Sequence, residues 1–463
     1  MCDLKHDFGL RIIKALAVVL AATPFAVCWY AYYAERIYVP FYSKGNLLII
    51  ALFVVLYVIF ARIYDAFLVS VNRISEMVYS QGLAALLADG IMYLVIWLLM
   101  RRIPNILPGL AALAAQILLS VFWSVSAHQW YYAIFPPKRS AIVFDKRYGI
   151  ERLIREYGLE KKFDIQLTIS VAECVENPDI LNGMDTVFIS GVQSHERNIL
   201  LKHCVARGIH VYVLPRIGDI IMSGAKRVHM FHLPMLRVDR YKPHPETAFF
   251  KRSFDIALSM LALLLLSPIM VIAALAIKAT DGGPVFYKQP RLTKDGKVFQ
   301  VLKFRSMRVD AEKDGIARLS TGDADDRITP VGRIIRKVRI DELPQLLNIL
   351  AGSMSIVGPR PERPEIAAQY EEELPEFRLR LQVKAGLTGY AQVYGKYNTT
   401  PYDKLQMDLM YIANPSFIED LRIIFATIKI LFVPESTDGV GEGQTTAVAE
   451  ETTDEELVGA GSL

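Results

Sequence analysis

The chain has 463 residues, of which 52% are hydrophobic and only 22% charged, with a mean hydropathy of +0.28. These values exclude an ordinary soluble protein and place the apolar excess in membrane segments, while the length leaves room for two or three domains. The net charge of +4 is unevenly spread: Pro284 to Ile340 holds fourteen Lys and Arg against seven Asp and Glu, whereas Glu435 to Leu463 holds eight acids and no base. The basic stretch suits phosphate or anionic headgroups, and the acidic end reads as a disordered tail. Cys2, Cys28, Cys174 and Cys204 stand alone with no C-x-x-C pair, so neither a zinc site nor a disulfide framework is expected. Nothing points to nucleic acid as a partner.

Four apolar runs come first: Ile12 to Tyr33, Asn46 to Phe60, Leu83 to Met100 and Ile106 to Tyr132. A span needs about twenty residues, so the second must extend to Arg62 or Tyr64. The run ends carry the interfacial aromatics Trp29, Tyr30, Tyr32, Tyr33, Trp130, Tyr131 and Tyr132. The first run is long and lacks a small-residue cleavage site, so no cleavable signal is expected. With the N-terminus inside, the inner flanks hold seven Lys and Arg (Lys5, Arg11, Lys14, Arg62, Arg73, Lys138, Arg139) and the outer loops four (Arg36, Lys44, Arg101, Arg102). That balance favours a cytoplasmic N-terminus, although the Arg101-Arg102 pair argues against it.

From Ser140 to Pro215, β-rich runs (Ala141 to Phe144, Phe163 to Ile169, Thr186 to Ile189, Ile209 to Leu214) alternate with helix-like stretches such as Ser194 to Ala206. This alternation predicts βαβ units on a parallel sheet, hence a small Rossmann-like domain. The first strand leads into Asp145-Lys146-Arg147-Tyr148-Gly149, without the G-x-G-x-x-G that lets a backbone approach a pyrophosphate. A structural, regulatory or dimer-forming role is the expectation. His229 and His232, three apart, could share a helix face, but no third ligand is spaced to join them.

A fifth apolar run, Phe254 to Ile277, is broken by Ser267-Pro268 and flanked by Lys251 and Arg252 on one side and by Lys278, Lys288 and Arg291 on the other. Proline removes a backbone donor and kinks a helix, and a serine hydroxyl can satisfy the exposed carbonyl. Basic residues at both ends favour a re-entrant, helix-break-helix hairpin over a fifth span. A full span would carry everything beyond Lys278 to the far side of the membrane.

Within Gln300 to Glu362, the motifs Lys303-Phe304-Arg305-Ser306-Met307, Asp341-Glu342-Leu343-Pro344-Gln345-Leu346 and Val357-Gly358-Pro359-Arg360-Pro361-Glu362 crowd together. Arg336, Lys337 and Arg339 precede Asp341, a basic setting expected to lower its pKa and preserve the anion. Such a carboxylate is a plausible nucleophile on phosphorus or a magnesium ligand. Helical geometry puts neighbouring side chains about 100° apart, so Asp341 and Glu342 should have unequal roles. The plainer alternative is that both acids stabilise the first turn of a helix. Arg360 lies between two prolines that fix its backbone, ready for bidentate phosphate contact. Lys303 and Arg305, two apart on a predicted strand, share a face.

Together with Gly352-Ser353-Met354-Ser355 and a later Gly386-Leu387-Thr388-Gly389, these motifs make the stretch from Phe250 to Val433, about forty per cent of the chain, resemble one family's catalytic unit. That family is the bacterial sugar transferases, the monotopic phosphoglycosyl transferases, also called polyprenyl-phosphate hexose-1-phosphate transferases. The four preceding spans and the Rossmann-like insert resemble its large members, which initiate exopolysaccharide, capsule or O-antigen synthesis. The resemblance implies transfer of a hexose-1-phosphate from a UDP-sugar to undecaprenyl (polyprenyl) phosphate, with release of UMP. Asp341 would form an aspartyl-phosphosugar intermediate, Glu342 would assist, and Mg2+ would sit at Asp341. It also implies that Lys303, Arg336 and Arg360 contact phosphate, with Arg305 and Arg291 behind them, and that Gly386, Thr388 and Gly389 lie near the nucleotide. Lys384-Ala385-Gly386 replaces a frequent R-P-G, and Tyr390 a frequent Trp, which leaves galactose, glucose and N-acetylated hexoses open. Tyr394 to Tyr397 and Tyr402 could stack on uracil or simply pack.

The expected architecture is membrane α plus α/β. It comprises four transmembrane helices (1–136), a Rossmann-like cytosolic domain (137–242), a mixed α/β catalytic domain (243–434) with its re-entrant helix (254–278), and an acidic tail (435–463). The bacterial inner membrane, a cytoplasm-facing catalytic domain and a homodimer are the matching expectations. A transporter or flippase would need polar residues along a membrane path, and apart from Asp65 and Asp89 there are almost none. A non-catalytic nucleotide-sugar sensor would be expected to have lost the acidic pair.

Overall fold

The computed structural model describes residues 2–145, 149–308, 327–395 and 400–430. The acidic tail and Tyr397 lie outside the described residues. The chain divides into two compact units, Met1–Pro215 and Arg216–Leu463. Residues 216–242, grouped with the Rossmann-like domain in the sequence reading, belong to the second.

The first unit begins with α1 (Cys2–Cys28), continued by a π-helical turn Trp29–Tyr33, then α2 (Ser43–Ile63), α3 (Ile74–Met100) and α4 (Leu107–Ile134). All four are long and apolar enough to cross a membrane, and the second run does extend past Phe60 to Ile63. Side-chain donors tie them together through backbone carbonyls: Trp123 Nε1 donates to Ile13 O (3.0 Å), Gln116 Nε2 to Ala21 O (3.2 Å) and Tyr33 Oη to Asn105 O (2.7 Å). Such bonds supply the specificity that lipid, as apolar as leucine, cannot. Arg101 lies 4.2 Å from the Tyr38 ring centroid.

Beyond α4, β1 (Lys138–Phe144), α5 (Ile150–Glu156), β2 (Phe163–Ser170), α6 (Val171–Glu176), β3 (Thr186–Ser190), α7 (Ser194–Ala206) and β4 (His210–Val213) alternate as predicted. The four strands form a parallel sheet in the order β2-β1-β3-β4. Ala141, Val143, Val187 and Ile189 from its centre pack with Leu200, Cys174 and Cys204 beneath the helices. Both cysteines are free.

The second unit opens with α8 (Ile217–Ser223) and an antiparallel ribbon, β5 (Lys226–Met230) and β6 (Leu233–Arg237). Phe231 (φ 54°) and His232 (φ 60°) form its two-residue turn, the left-handed pair that matches hairpin twist. His229 and His232 therefore lie on a strand and a turn, not on one helix face.

Next comes α9 (Pro245–Asp281), 37 residues without a non-helical interruption. The sequence predicted a break at Ser267-Pro268; instead the helix runs through it. Pro268 has no N–H for the Leu264 carbonyl four residues back, and the Ser267 hydroxyl donates to that carbonyl at 2.9 Å. Length and composition would let α9 cross a membrane. However, Leu258, Ala262 and Leu263 pack on one core of the unit, and Met270, Ala273, Ala274 and Ile277 on another with Phe304 and Ile335. Leu264 and Leu265 between these two arms are exposed. The N-terminal arm is also pinned by polar contacts: Lys251 to Tyr411 Oη (2.9 Å) and Asp420 (2.6 Å), Arg252 to the carbonyls of Ile349 (2.6 Å) and Leu350 (2.8 Å), and Asp255 to Ser355 Oγ (2.8 Å).

The remainder is β7 (Phe286–Leu292) antiparallel to β8 (Val298–Phe304), α10 (Pro330–Lys337), α11 (Gln345–Ala351), β9 (Ser355–Val357), α12 (Pro364–Glu373), β10 (Gly386–Thr388), α13 (Tyr390–Tyr394), α14 (Pro401–Ala413) and α15 (Phe417–Ile430). β9 and β10 pair in parallel. Ile349, Met354, Leu405, Phe377 and Ile423 fill the core behind the site.

Candidate active site

Asp341 and Glu342 reach their positions through a compact relay. α10 starts at Thr329, whose hydroxyl accepts from Gly332 N at 2.9 Å, with Pro330 at its first position. A Cβ on Gly332 would overlap the Ser306 carbonyl, so only glycine lets the helix lie against the end of β8. The helix ends at Lys337, and Arg339 adopts a left-handed conformation (φ 54°), at a cost of about 1–2 kcal/mol for a non-glycine residue. That reversal starts a short 3-10 turn, Ile340–Glu342. The acidic pair thus occupies a tight turn ahead of α11 rather than the first turn of a long α-helix, with side chains about 120° apart.

The turn separates the two carboxylates. Glu342 Oε1 receives Lys303 Nζ from β8 and Arg360 Nη2 from the loop after β9, both at 2.9 Å. Burial alone would raise the Glu342 carboxyl, but Lys303 and Arg360 override it and hold the group far below the usual carboxylate range. Asp341 is itself buried. Burial first, and then repulsion from Glu342, push its carboxyl above the usual range against the pull of Lys303, Arg336 and Arg360. The sequence reading expected the opposite for Asp341. The nearby cations are spent largely on Glu342, and desolvation decides the rest. Glu342 is therefore a fixed anion that orders two cations, and Asp341 is the carboxylate with the higher proton affinity.

The other predicted residues divide into two groups. Arg336, in the last turn of α10, acts electrostatically on Asp341. Arg305 lies just past β8, buried, with its guanidinium against Gly283 and its N–H on Val285 O (2.9 Å). Arg291 donates to the Pro361 carbonyl (2.9 Å) and to Gln289 Oε1 (2.7 Å) and lies 3.8 Å from Glu362, and burial lowers its pKa to about 10. Gly386 and Gly389 both press on Gly358, where added Cβ atoms would collide with backbone, and the buried Thr388 hydroxyl meets Thr427 Oγ1 at 2.5 Å. This loop is therefore packed beneath the arginine loop, a scaffold for it. The Tyr390 and Tyr394 rings meet in a tilted contact, 4.7 Å between centroids.

Sequence reasoning missed Arg380 and Asp408. Arg380 donates to Asp408 Oδ2 through Nε (2.8 Å) and pairs with it through Nη2 (2.7 Å), with both side chains almost wholly buried. They lie 28 residues apart, in no motif. No signal in one sequence could have paired them.

Among the described residues, no three His, Cys, Asp or Glu side chains converge as a metal cage. Mg2+, however, is commonly held by one or two carboxylates plus substrate phosphates and water. Asp341, whose neighbour has its charge met by two cations, fits that single-ligand role.

Four apolar helices with a parallel sheet in one unit, and in the other a 37-residue apolar helix beside a buried carboxylate–cation cluster, define a membrane protein of mixed α/β construction with a site suited to anionic groups. Residues 246–434 match the bacterial sugar transferase family. The chain is 44% identical over 200 residues (41% of this chain, 97% of the relative) to the exopolysaccharide production protein PSS of Rhizobium leguminosarum bv. phaseoli. It is 38% identical over 234 residues to the UDP-N-acetylgalactosamine-undecaprenyl-phosphate N-acetylgalactosaminephosphotransferase of Aeromonas hydrophila (50% of this chain, 54% of the relative). It is 40% identical over 217 residues to the UDP-glucose:undecaprenyl-phosphate glucose-1-phosphate transferase of Escherichia coli K12 (46% and 45%). The chain spans about half the length of these last two relatives. It belongs to the bacterial sugar transferase family.

Proposed function

We propose that this protein transfers a hexose-1-phosphate from a UDP-sugar to undecaprenyl phosphate, releasing UMP, as the first step of a surface polysaccharide such as an exopolysaccharide, capsule or O-antigen. The observation that carries the reading is the pairing of buried Asp341 with a Glu342 anion that holds Lys303 and Arg360 beside it. An Asp341 carboxylate oxygen attacks the sugar-bearing phosphorus; the P–O bond to UMP breaks, and UMP leaves with the electron pair. An oxygen of undecaprenyl phosphate then attacks the same phosphorus and frees Asp341, giving the undecaprenyl-diphosphate sugar. Lys303, Arg336 and Arg360 hold the diphosphate, and Glu342 fixes two of these cations in place. Asp341 is the residue that would hold a Mg2+ ion, which would supply charge neutralisation for the leaving group.

The lipid acceptor requires the site to lie at a bilayer surface. The two arms of α9, packed on cores of the same unit with exposed leucines between them, support a segment that dips into one leaflet and returns. In this reading the first four apolar helices span the bacterial inner membrane, the site faces the cytoplasm and two copies associate. The names of the relatives span glucose and N-acetylgalactosamine, so the hexose is to be read from experiment. Membranes containing the chain, incubated with undecaprenyl phosphate and a panel of UDP-sugars, should release UMP with one or two of them when Mg2+ is present. Release of UDP instead would indicate ordinary glycosyl transfer and overturn the mechanism.

A further inference from the structure

Arg360 needs a fixed backbone to hold its guanidinium on Glu342, yet its loop, Pro359-Arg360-Pro361-Glu362, contains two prolines and belongs to no helix or strand. Prolines cannot donate, so the loop must be fixed through its carbonyls. All four are met. Pro359 O accepts from Gly386 N and Glu362 O from Leu292 N, each at 2.9 Å. Arg360 O accepts from Arg380 Nη2 and Pro361 O from Arg291 Nη1, again each at 2.9 Å. The two arginines also flank the Glu362 carboxylate, Arg380 at 3.6 Å and Arg291 at 3.8 Å, and Arg380 is itself held by Asp408.

We propose that Arg380 and Arg291 are positioning residues that fix Arg360 for its work on the substrate diphosphate by gripping two successive carbonyls, those of Arg360 and Pro361. Neither guanidinium is then a phosphate ligand. Both are turned onto protein acceptors, and the Asp408 carboxylate orients Arg380. Only a planar fork serves here, because Arg380 bonds a carboxylate and a carbonyl at once and a lysine ammonium cannot reproduce that geometry. The inference rests on the transferase reading given above.

The test is a cycle of four full-length proteins in detergent or nanodiscs: wild type, Arg360→Lys, Arg380→Lys and the double variant. Each is checked for folding by size-exclusion chromatography and thermal unfolding. Arg380→Lys keeps a cation beside Asp408 but frees the Arg360 carbonyl. Its KM for the UDP-sugar should rise by roughly tenfold or more, with KM for undecaprenyl phosphate unchanged. A merely smaller folded fraction would lower kcat and leave both KM values in place. Because Arg380 acts through Arg360, the double variant should lose no more than about threefold beyond Arg360→Lys alone. Losses that multiply, or an Arg380→Lys protein with wild-type KM, overturn the proposal. If Arg380→Lys does not fold, Arg291→Lys releases the neighbouring carbonyl and is held to the same criteria. A wild type that releases no UMP contradicts the transferase reading instead, and the same non-additivity is then sought in the affinity for UDP.

Discussion

The two units differ in where they bury charge, although both carry exposed pairs, such as Arg240–Asp295 in the second. In the first, ion pairs such as Arg207–Asp179 (2.6 Å) and Arg139–Asp185 (3.5 Å) sit on exposed side chains, where solvent screening leaves each worth at most about 1 kcal/mol. In the second, Lys303–Glu342, Arg380–Asp408 and Lys251–Asp420 are substantially withdrawn from water. Burying an ion pair is seldom the cheapest route to stability. Its presence in a region that also stores backbone strain at Arg339 marks a place selected for geometry rather than for tenacity. The difference teaches where to look: the first unit is held by hydrophobic pattern and backbone pairing, the second arranged around a few carboxylates and the cations they fix.

Three substitutions can break that contrast. Asp341→Asn keeps the shape of the turn but removes the attacking oxygen's charge, and UMP release should fall on the order of 10^4-fold or more, measured by single-turnover assay with the protein still folded. Lys303→Met removes one of two cations on Glu342 and a predicted phosphate contact, and kcat should fall by about 10^2 to 10^3-fold. Asp179→Asn in the first unit deletes an exposed pair, and denaturant unfolding should shift by no more than about 0.5 kcal/mol with activity intact. If Asp179→Asn damaged activity as Lys303→Met does, the division between the two units would be wrong.

Much of the first unit was legible because its signals are periodic. Apolar runs of span length and β-rich runs separated by helical stretches gave four helices and four parallel strands, with α7 at the bounds the pattern predicted. The second unit was legible in its motifs and less so in their shape. Asp341-Glu342 reads as a helix start, but the left-handed turn at Arg339, an arginine where glycine would be the signal, made it a 3-10 turn. Ser267-Pro268 reads as a break, and helical residues continue on both sides of it, with the serine hydroxyl on the Leu264 carbonyl. The expected low pKa of Asp341 followed from counting Arg336, Lys337 and Arg339, whereas burial dominates at Asp341, and the cations bonded to Glu342 are Lys303 and Arg360. The resemblance placed Arg291 behind the phosphate-contacting residues, and its guanidinium donates to Pro361 O and Gln289 Oε1. Arg380 and Asp408 carry no local pattern at all, since their pairing exists only once α14 has packed behind the loop.

The central claim is that Asp341 becomes covalently bonded to the sugar phosphate. Intact-protein and peptide mass spectrometry of the full chain, incubated with its UDP-sugar and Mg2+ but without undecaprenyl phosphate, tests it most directly. The account predicts a mass increase of one sugar phosphate on the peptide containing Asp341, absent in Asp341→Asn and discharged when undecaprenyl phosphate is added. Turnover to the lipid product with no adduct at any time, or an adduct on another side chain, would contradict it.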